Sequence, residues 1–358
     1  MRTLTFVLRR RNSRKTERGA KPFLAGLVVR AALFALTGAA CSGATGYHLV
    51  KTIPVPGDGG FDYLTMDSAA RRLYVSHGTE VNVLDADSRA IAGKIPDTRG
   101  VHGIAIAPES GRGFITDGQA NTVTIFNLKT LARIADVPAG TKPDGTIYDP
   151  ATRRVFAFNG GSDNTTVIDA ATGKVAGTIA LGGAPEFAAS DGAGHVYVNL
   201  ENKSETLKLD SRKLTVLARW AVAPCEAPSA MAMDVKSRRL FVGCGNRLAA
   251  VLNADSGKVI GTFPIGDHVD AAGFDPATGL AFFSCGDGTL TLLHENSADS
   301  YGVVDTVKTL PGAKTMALDL KTHRVFLSTA DRAPRKPGAK GRGSIVPGSF
   351  KVLVVGKD

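Results

Sequence analysis

Seven positions in this 358-residue chain lie five residues ahead of a recurring turn, and they hold Asp62, His102, Asp144, Glu186, Ser229, Asp270 and Lys314. Four carboxylates, an imidazole, a hydroxyl and an ammonium at one repeated position could hold a divalent cation or a polar small molecule. Carboxylate oxygens suit Ca²⁺ or Mg²⁺, and His102 widens the choice to Zn²⁺, Mn²⁺ or iron. The candidate metal ligands are therefore Asp62, His102, Asp144, Glu186 and Asp270, with a divalent ion as the implied cofactor. His268 stands two residues before Asp270, and Lys142 two before Asp144, so period-two alternation would aim each at its neighbour's face. Crowded carboxylates raise one another's pKa unless a cation such as Lys314 compensates. The plainer alternative is a set of polar groups that merely face water. An enzyme could use the same groups, with His102 or His268 as general base and a metal polarising a lactone or ester carbonyl. No His-Glu-x-x-His, Gly-x-Ser-x-Gly or phosphate loop accompanies them, so no residue is assigned a catalytic role.

The elements that must position these residues recur every 40 to 44 residues from about residue 47. The clearest unit runs through Pro143–Asp149, Arg153–Phe158, Asn164–Asp169 and Thr172–Ile179. These are four short β-rich runs separated by Asp, Gly, Pro and Asn turn signals. An aromatic occupies one place in every second run: Tyr74, Phe114, Phe156, Tyr197, Phe241, Phe282 and Phe326. Aspartate closes the first run in six units (Asp67, Asp149, Asp191, Asp234, Asp275 and Asp319), and Ala107 is the exception. Such an aspartate can accept hydrogen bonds from nearby backbone N–H groups in a turn.

Four-stranded units at this period predict an all-β chain, a seven-bladed β-propeller of four-stranded blades. The blades fall at about residues 60–98, 99–140, 141–183, 184–224, 225–266, 267–310 and 311–358. The last supplies three runs, and the segment 47–56 matches the missing fourth, so an N-terminal strand should close the ring and remove exposed edges. The candidate residues then converge at one mouth of the central channel. Two residues deeper, Leu64, Ile104, Thr146, Ala188, Met231, Ala272 and Met316 predict a mostly apolar throat beneath a polar mouth.

Leu73-Tyr-Val-Ser-His77, Val196-Tyr-Val-Asn199 and the turn Ala171-Thr-Gly-Lys-Val175 resemble the YVTN-repeat, YncE-like bacterial propellers over residues 47–358. The resemblance implies the fold. It implies no single activity, because such propellers include exported binding proteins, surface-layer proteins and modules of redox enzymes, and some seven-bladed propellers are lactonases.

Composition narrows the rest. The formal charge is +10, but residues 1–40 carry nine basic side chains against Glu17 alone, which leaves +2 for everything after them. The case for nucleic acid from whole-chain charge therefore loses most of its support, leaving a protein-interaction platform or weak nucleic-acid binding through a basic loop as a further alternative. Residues 1–44 read as a basic, apolar and small-residue secretory leader cut near 40–44, so the protein is expected to be exported, to periplasm or exterior. The apolar run is too short, and too interrupted by Arg30, to be a membrane span. Cys41 follows small residues and could carry a lipid anchor, the sole expected membrane attachment. Cys225 and Cys244 bracket two runs of one blade, and export permits a disulfide between them. The insertion 331–343 carries Arg332, Arg335, Lys336, Lys340 and Arg342 where other blades use short turns. It reads as a surface loop able to meet an anionic partner, though no aromatic interleaves its charges for base stacking. The expected protein is a monomeric binding or scaffold module with an unidentified small ligand or protein partner.

Overall fold

Alternating apolar residues in short runs, each ended by a turn former, can bury themselves only as sheets, and a computed structural model shows how these sheets assemble. Contacts separate Met1–Cys41 from Ser42–Asp358, and the sheets belong to the second unit. The structure describes residues 45–57, 59–334 and 343–358. The leader, with Cys41, and Arg335, Lys336, Lys340 and Arg342 of the basic insertion lie outside the described residues. Among the described residues, no helix is long and apolar enough to cross a membrane.

Seven antiparallel four-stranded sheets form the blades of a propeller. Their inner strands are Phe61–Asp67, Val101–Ala107, Pro143–Asp149, Pro185–Ser190, Pro228–Asp234, Val269–Asp275 and Met316–Asp319. In six blades the strands follow chain order from the channel outward. In the seventh, the outer place is taken by His48–Pro54, which pairs antiparallel with Lys351–Gly356. The ring is thus closed by hydrogen bonds between the two ends of the unit. Every repeated aromatic of the second strands is buried, within apolar layers that lie between neighbouring blades.

Two irregularities repeat around the ring. Each outer strand is bulged against its partner. A bulge twists an edge away from flat pairing with another chain. Every inner strand except Met316–Asp319 also carries an extra residue near its start. For example, Phe61 pairs with His77 and Leu64 with Val75, so Asp62 and Tyr63 together oppose Ser76.

Blades are joined by side chains on the face opposite the mouth. The turn aspartates accept local hydrogen bonds as their position predicts, Asp67 from the N–H groups of Ala69 and Ala70 and Asp234 from those of Lys236 and Ser237. Several also reach the next blade. Arg71 donates to Asp319 at 2.8 Å, Arg238 lies 3.4 Å from Asp191, and His323 Nδ1 lies 2.7 Å from Asp275. Asp275 and Asp319 are fully buried, where a carboxylate is tolerable only when so paired. The first residue of the second strand also reaches the following blade, as a donor: Arg154 donates to Ser211 and Arg212 carbonyls, and Arg239 to that of Ala298.

Cys225 and Cys244 form a disulfide, while Cys285 is a buried free thiol. The disulfide ties the loop entering the fifth blade to the end of its second strand. Arg332 pairs with Ile345 across the base of the basic insertion, so that base is held even though its tip lies outside the described residues. Replacing both Cys225 and Cys244 by Ala is expected to lower stability by roughly 3 kcal/mol. Urea melts of the oxidised parent and the variant measure it; coincident midpoints would show that the cross-link constrains nothing.

Candidate functional site

Strand alternation alone would allow one residue of each consecutive pair to face the channel. The inner-strand bulge relaxes that limit, since an extra residue re-aims the side chains beside it. Ahead of the inner strand, the chain turns through the left-handed region at Gly100, Lys142, Ala227, His268 and Gly312, with φ between +49° and +84°. The backbone at the start of the inner strand is then fastened from the preceding blade. Thr116 donates to the Asp144 carbonyl, Ser284 to that of Lys314, Asn199 to that of Ser229, and Ser328 to that of Asp62. Thr315 adds a second hydrogen bond to the Asp62 carbonyl, at 2.7 Å. These polar residues near the ends of the second strands were not singled out from sequence; their signal is a hydroxyl or amide one place before the strand's last residue.

Three blades bring their candidates into contact. His102 Nδ1 lies 2.6 Å from Asp62 Oδ2 and 3.6 Å from Asp144 Oδ1. One ligand atom from each of Asp62, His102 and Asp144 can be chosen so that all lie within 4.8 Å of one another. Between the adjacent sixth and seventh blades, Lys314 Nζ forms a short ion pair with Asp270. Asp270 is thereby paired with an ammonium rather than grouped with the other carboxylates. Glu186 stands in the fourth blade, near enough to Asp144 and Asp270 to feel both charges.

Two candidates do not join the site as expected. Ser229 is buried, and its hydroxyl donates to the Val269 carbonyl at 2.9 Å, so it serves blade packing. His268 is 69% exposed, and its ion pair is with Asp267 at 3.8 Å rather than with another candidate. Period-two alternation fails there because His268 is one of the left-handed turn residues. Lys142 is another, yet it does line a cleft of about 540 Å³ beside His102 and Asp144. The deeper apolar set also differs from expectation. Leu64, Ile104, Met231 and Met316 pack in the layers between blades; for the first three the bulge shifts the alternation by one.

What fills the channel instead is an aromatic pair. Tyr63 and Phe187 stack with ring centroids 4.6 Å apart and planes inclined by 23°. They come from the first and fourth blades, which are not neighbours, so they can meet only across the channel. Gly145 makes room: a Cβ there would stand 3.2 Å from the Tyr63 hydroxyl. The mouth is therefore a polar cup over an aromatic floor.

Electrostatics follow from crowding. Burial, then the charges of Asp144, Glu201 and Asp270, push the Glu186 carboxyl up to about 9 against the opposing pull of Lys314. Asp144 is also raised, first by burial, with Asp62 and Asp270 adding and His102 and Lys314 opposing. Burial works against a charged His102, but the Asp62 hydrogen bond and the nearby carboxylates win, so its pKa rises. Tyr63 is raised well above the ordinary range by burial and then by four carboxylates. Glu186 is thereby biased toward its protonated form and His102 toward its charged form, while Lys314 offsets Asp270.

No protein-family model matches the chain, and no curated protein matches it in sequence. Solved structures do. A chain of Kuenenia stuttgartiensis hydrazine synthase superposes with a TM-score of 0.65 at 14% identity, covering 76% of this chain and 94% of that one. A chain from the crystal structure of a mitotic checkpoint complex superposes with a TM-score of 0.71 at 13% identity, covering 87% and 92%. What they share with this chain is the fold. A likeness this low in identity leaves activity and ligand to the site itself.

Glu186 provides a direct check on the electrostatics. Its folded pKa lies above its unfolded value, so the native state binds the extra proton between about pH 4.5 and 9, and stability falls as pH rises through that window. Glu186→Gln is expected to melt higher than the parent, by little at pH 5 and by roughly 1–3 kcal/mol at pH 9. A gap that stays constant across thermal melts from pH 5 to 9 would show that the carboxyl titrates normally.

Proposed function

We propose that this protein is an exported binding propeller of the YVTN-repeat, YncE-like type, and that its channel mouth holds a divalent cation. The observation that carries the reading is the convergence of Asp62, His102 and Asp144, with ligand atoms within 4.8 Å of one another. Glu186 is the further carboxylate available to the ion. Asp270 is left to Lys314. The Asp62–His102 contact can act in two ways: Asp62 ligates directly, or it holds Nδ1–H and leaves Nε2 as the ligand atom, an arrangement common at metal-bound histidines. Because Glu186 is protonated and His102 is biased toward its charged form, cation binding must expel protons. Two carboxylates, a third that can ionise and an imidazole suit Zn²⁺ or Mn²⁺ better than an all-oxygen Ca²⁺ site.

A second reading rests on the same 2.6 Å contact. A histidine oriented by a carboxylate is the arrangement of a general base, and a metal beside it would polarise an ester or lactone carbonyl. Turnover separates the two readings.

Titration calorimetry of Zn²⁺ and Mn²⁺ into chelator-treated protein, repeated in buffers of different ionisation enthalpy, tests the proposal. One ion per chain with proton release is expected, and Asp62→Asn combined with Asp144→Asn should weaken binding at least 100-fold. Equal affinity in parent and variant, or no stoichiometric binding, would remove the mouth as a metal site. If binding holds, a screen of lactones and esters with His102→Gln as control decides whether the ion serves chemistry.

A further inference from the structure

In three blades the arginine that opens the second strand caps turn carbonyls of the following blade. Arg72 reaches Leu128 and Lys129, Arg154 reaches Ser211 and Arg212, and Arg239 reaches Ala298. Arg324 occupies that position in the closing blade and does something else. Its stem lies against Gly356, where an added Cβ would stand 3.0 Å from Cγ and 3.6 Å from Nε. Among the described residues its guanidinium makes no hydrogen bond or ion pair.

Arg324 instead lines a pocket of about 350 Å³ at the seam where the ring closes, on the face away from the mouth. Tyr47, from just before the closing strand, and Lys357, from just after its partner strand, form two other walls; Thr278 and His323 come from the adjoining blade turns. The Lys357 ammonium sits 5.0 Å from the Tyr47 ring centroid and has no carboxylate partner among the described residues. His323 has its Nδ1 on Asp275, so Nε2 is its remaining polar atom. The acids nearby are already used. Asp275 also takes hydrogen bonds from Ala277 and Thr278, Asp319 takes them from Arg71 and Thr322, and both are fully buried. Asp358 is 95% exposed at the rim, 3.2 Å from His48 Nε2.

We infer that this seam pocket binds a small phosphate-type oxyanion between Arg324, Lys357 and His323. A guanidinium offers paired N–H donors that match two oxygens of such a group, and the ammonium adds a point charge. The walls come from both ends of the propeller unit, so an occupant fastens the pairing of His48–Pro54 with Lys351–Gly356. Anything that binds only the closed ring stabilises it by mass action. The site is independent of the cation proposal, being on the other face.

Thermal melts of the full chain, titrated with inorganic phosphate while chloride holds ionic strength constant, test the inference. A saturable rise in Tm is expected, roughly 3 °C near saturation. Lys357→Gln and Arg324→Gln should each at least halve it. Lys357 is exposed, so its variant folds whatever Arg324→Gln does. Gly356→Ala keeps every charge but crowds the arginine stem, and it should also reduce the response. No rise beyond chloride overturns the inference. So does a rise undiminished in both glutamine variants, which would place the anion elsewhere. Retention on phosphatidic-acid vesicles with no response to inorganic phosphate overturns it in favour of a membrane headgroup. The Asp62→Asn, Asp144→Asn variant should keep the full phosphate response.

Discussion

The extra residue near the start of the inner strands is the feature on which the mouth depends. A regular strand would send Asp62 and Tyr63 to opposite faces, one into the channel and one between blades. With two residues opposing Ser76, the carboxylate joins the cup while the phenol crosses to Phe187. A bulge would slip if it were held only by its own sheet, because its ladder is interrupted. It is held instead by side chains of the preceding blade that bond the carbonyl at the bulge, as Thr116 does for Asp144 and Ser328 for Asp62. Each blade therefore sets the geometry of its neighbour, and the site cannot form before the ring does.

Closing the ring has an electrostatic consequence. Carboxylates carried singly by separate blades become neighbours, and the protein answers in three ways. Asp62 faces His102, Asp270 faces Lys314, and Glu186 keeps its proton. The first two are opposite-charge compensation; the third is what remains when burial and like charges find no cation. The less compensated side of the ring, at Asp144 and Glu186, is where an incoming cation gains most. The Tyr63–Phe187 pair lies across the channel, so approach is from the mouth.

The other face pairs its turn aspartates with basic side chains of adjoining blades, and there the same closure matters mechanically. Arginines at the turns tie each blade forward to a carbonyl or backward to a buried aspartate. The seam is the one joint that must also unite segments from opposite ends of the unit. Its arginine, Arg324, lies along Gly356 instead of capping a turn.

Much of this was legible in the sequence. The four-run period, the buried aromatic of each second run and the turn aspartates announce seven four-stranded blades, because local alternation and turn chemistry are written residue by residue. The match of residues 47–56 to a missing run even announces the closure. Alternation also placed Asp62, His102, Asp144, Glu186, Asp270 and Lys314 at one level. Other features could not be read. His268 turns away and Ser229 is consumed in packing, since a left-handed turn and a hydrogen bond across blades override the period of two. Tyr63 and Phe187 lie 124 residues apart and carry no shared motif; only a closed ring makes them touch. Which carboxylate pairs with a cation and which keeps its proton was likewise decided by distances across the ring. The sequence by itself determined the blades, whose signals are local, and the tertiary structure alone decided the site, whose every contact joins different blades.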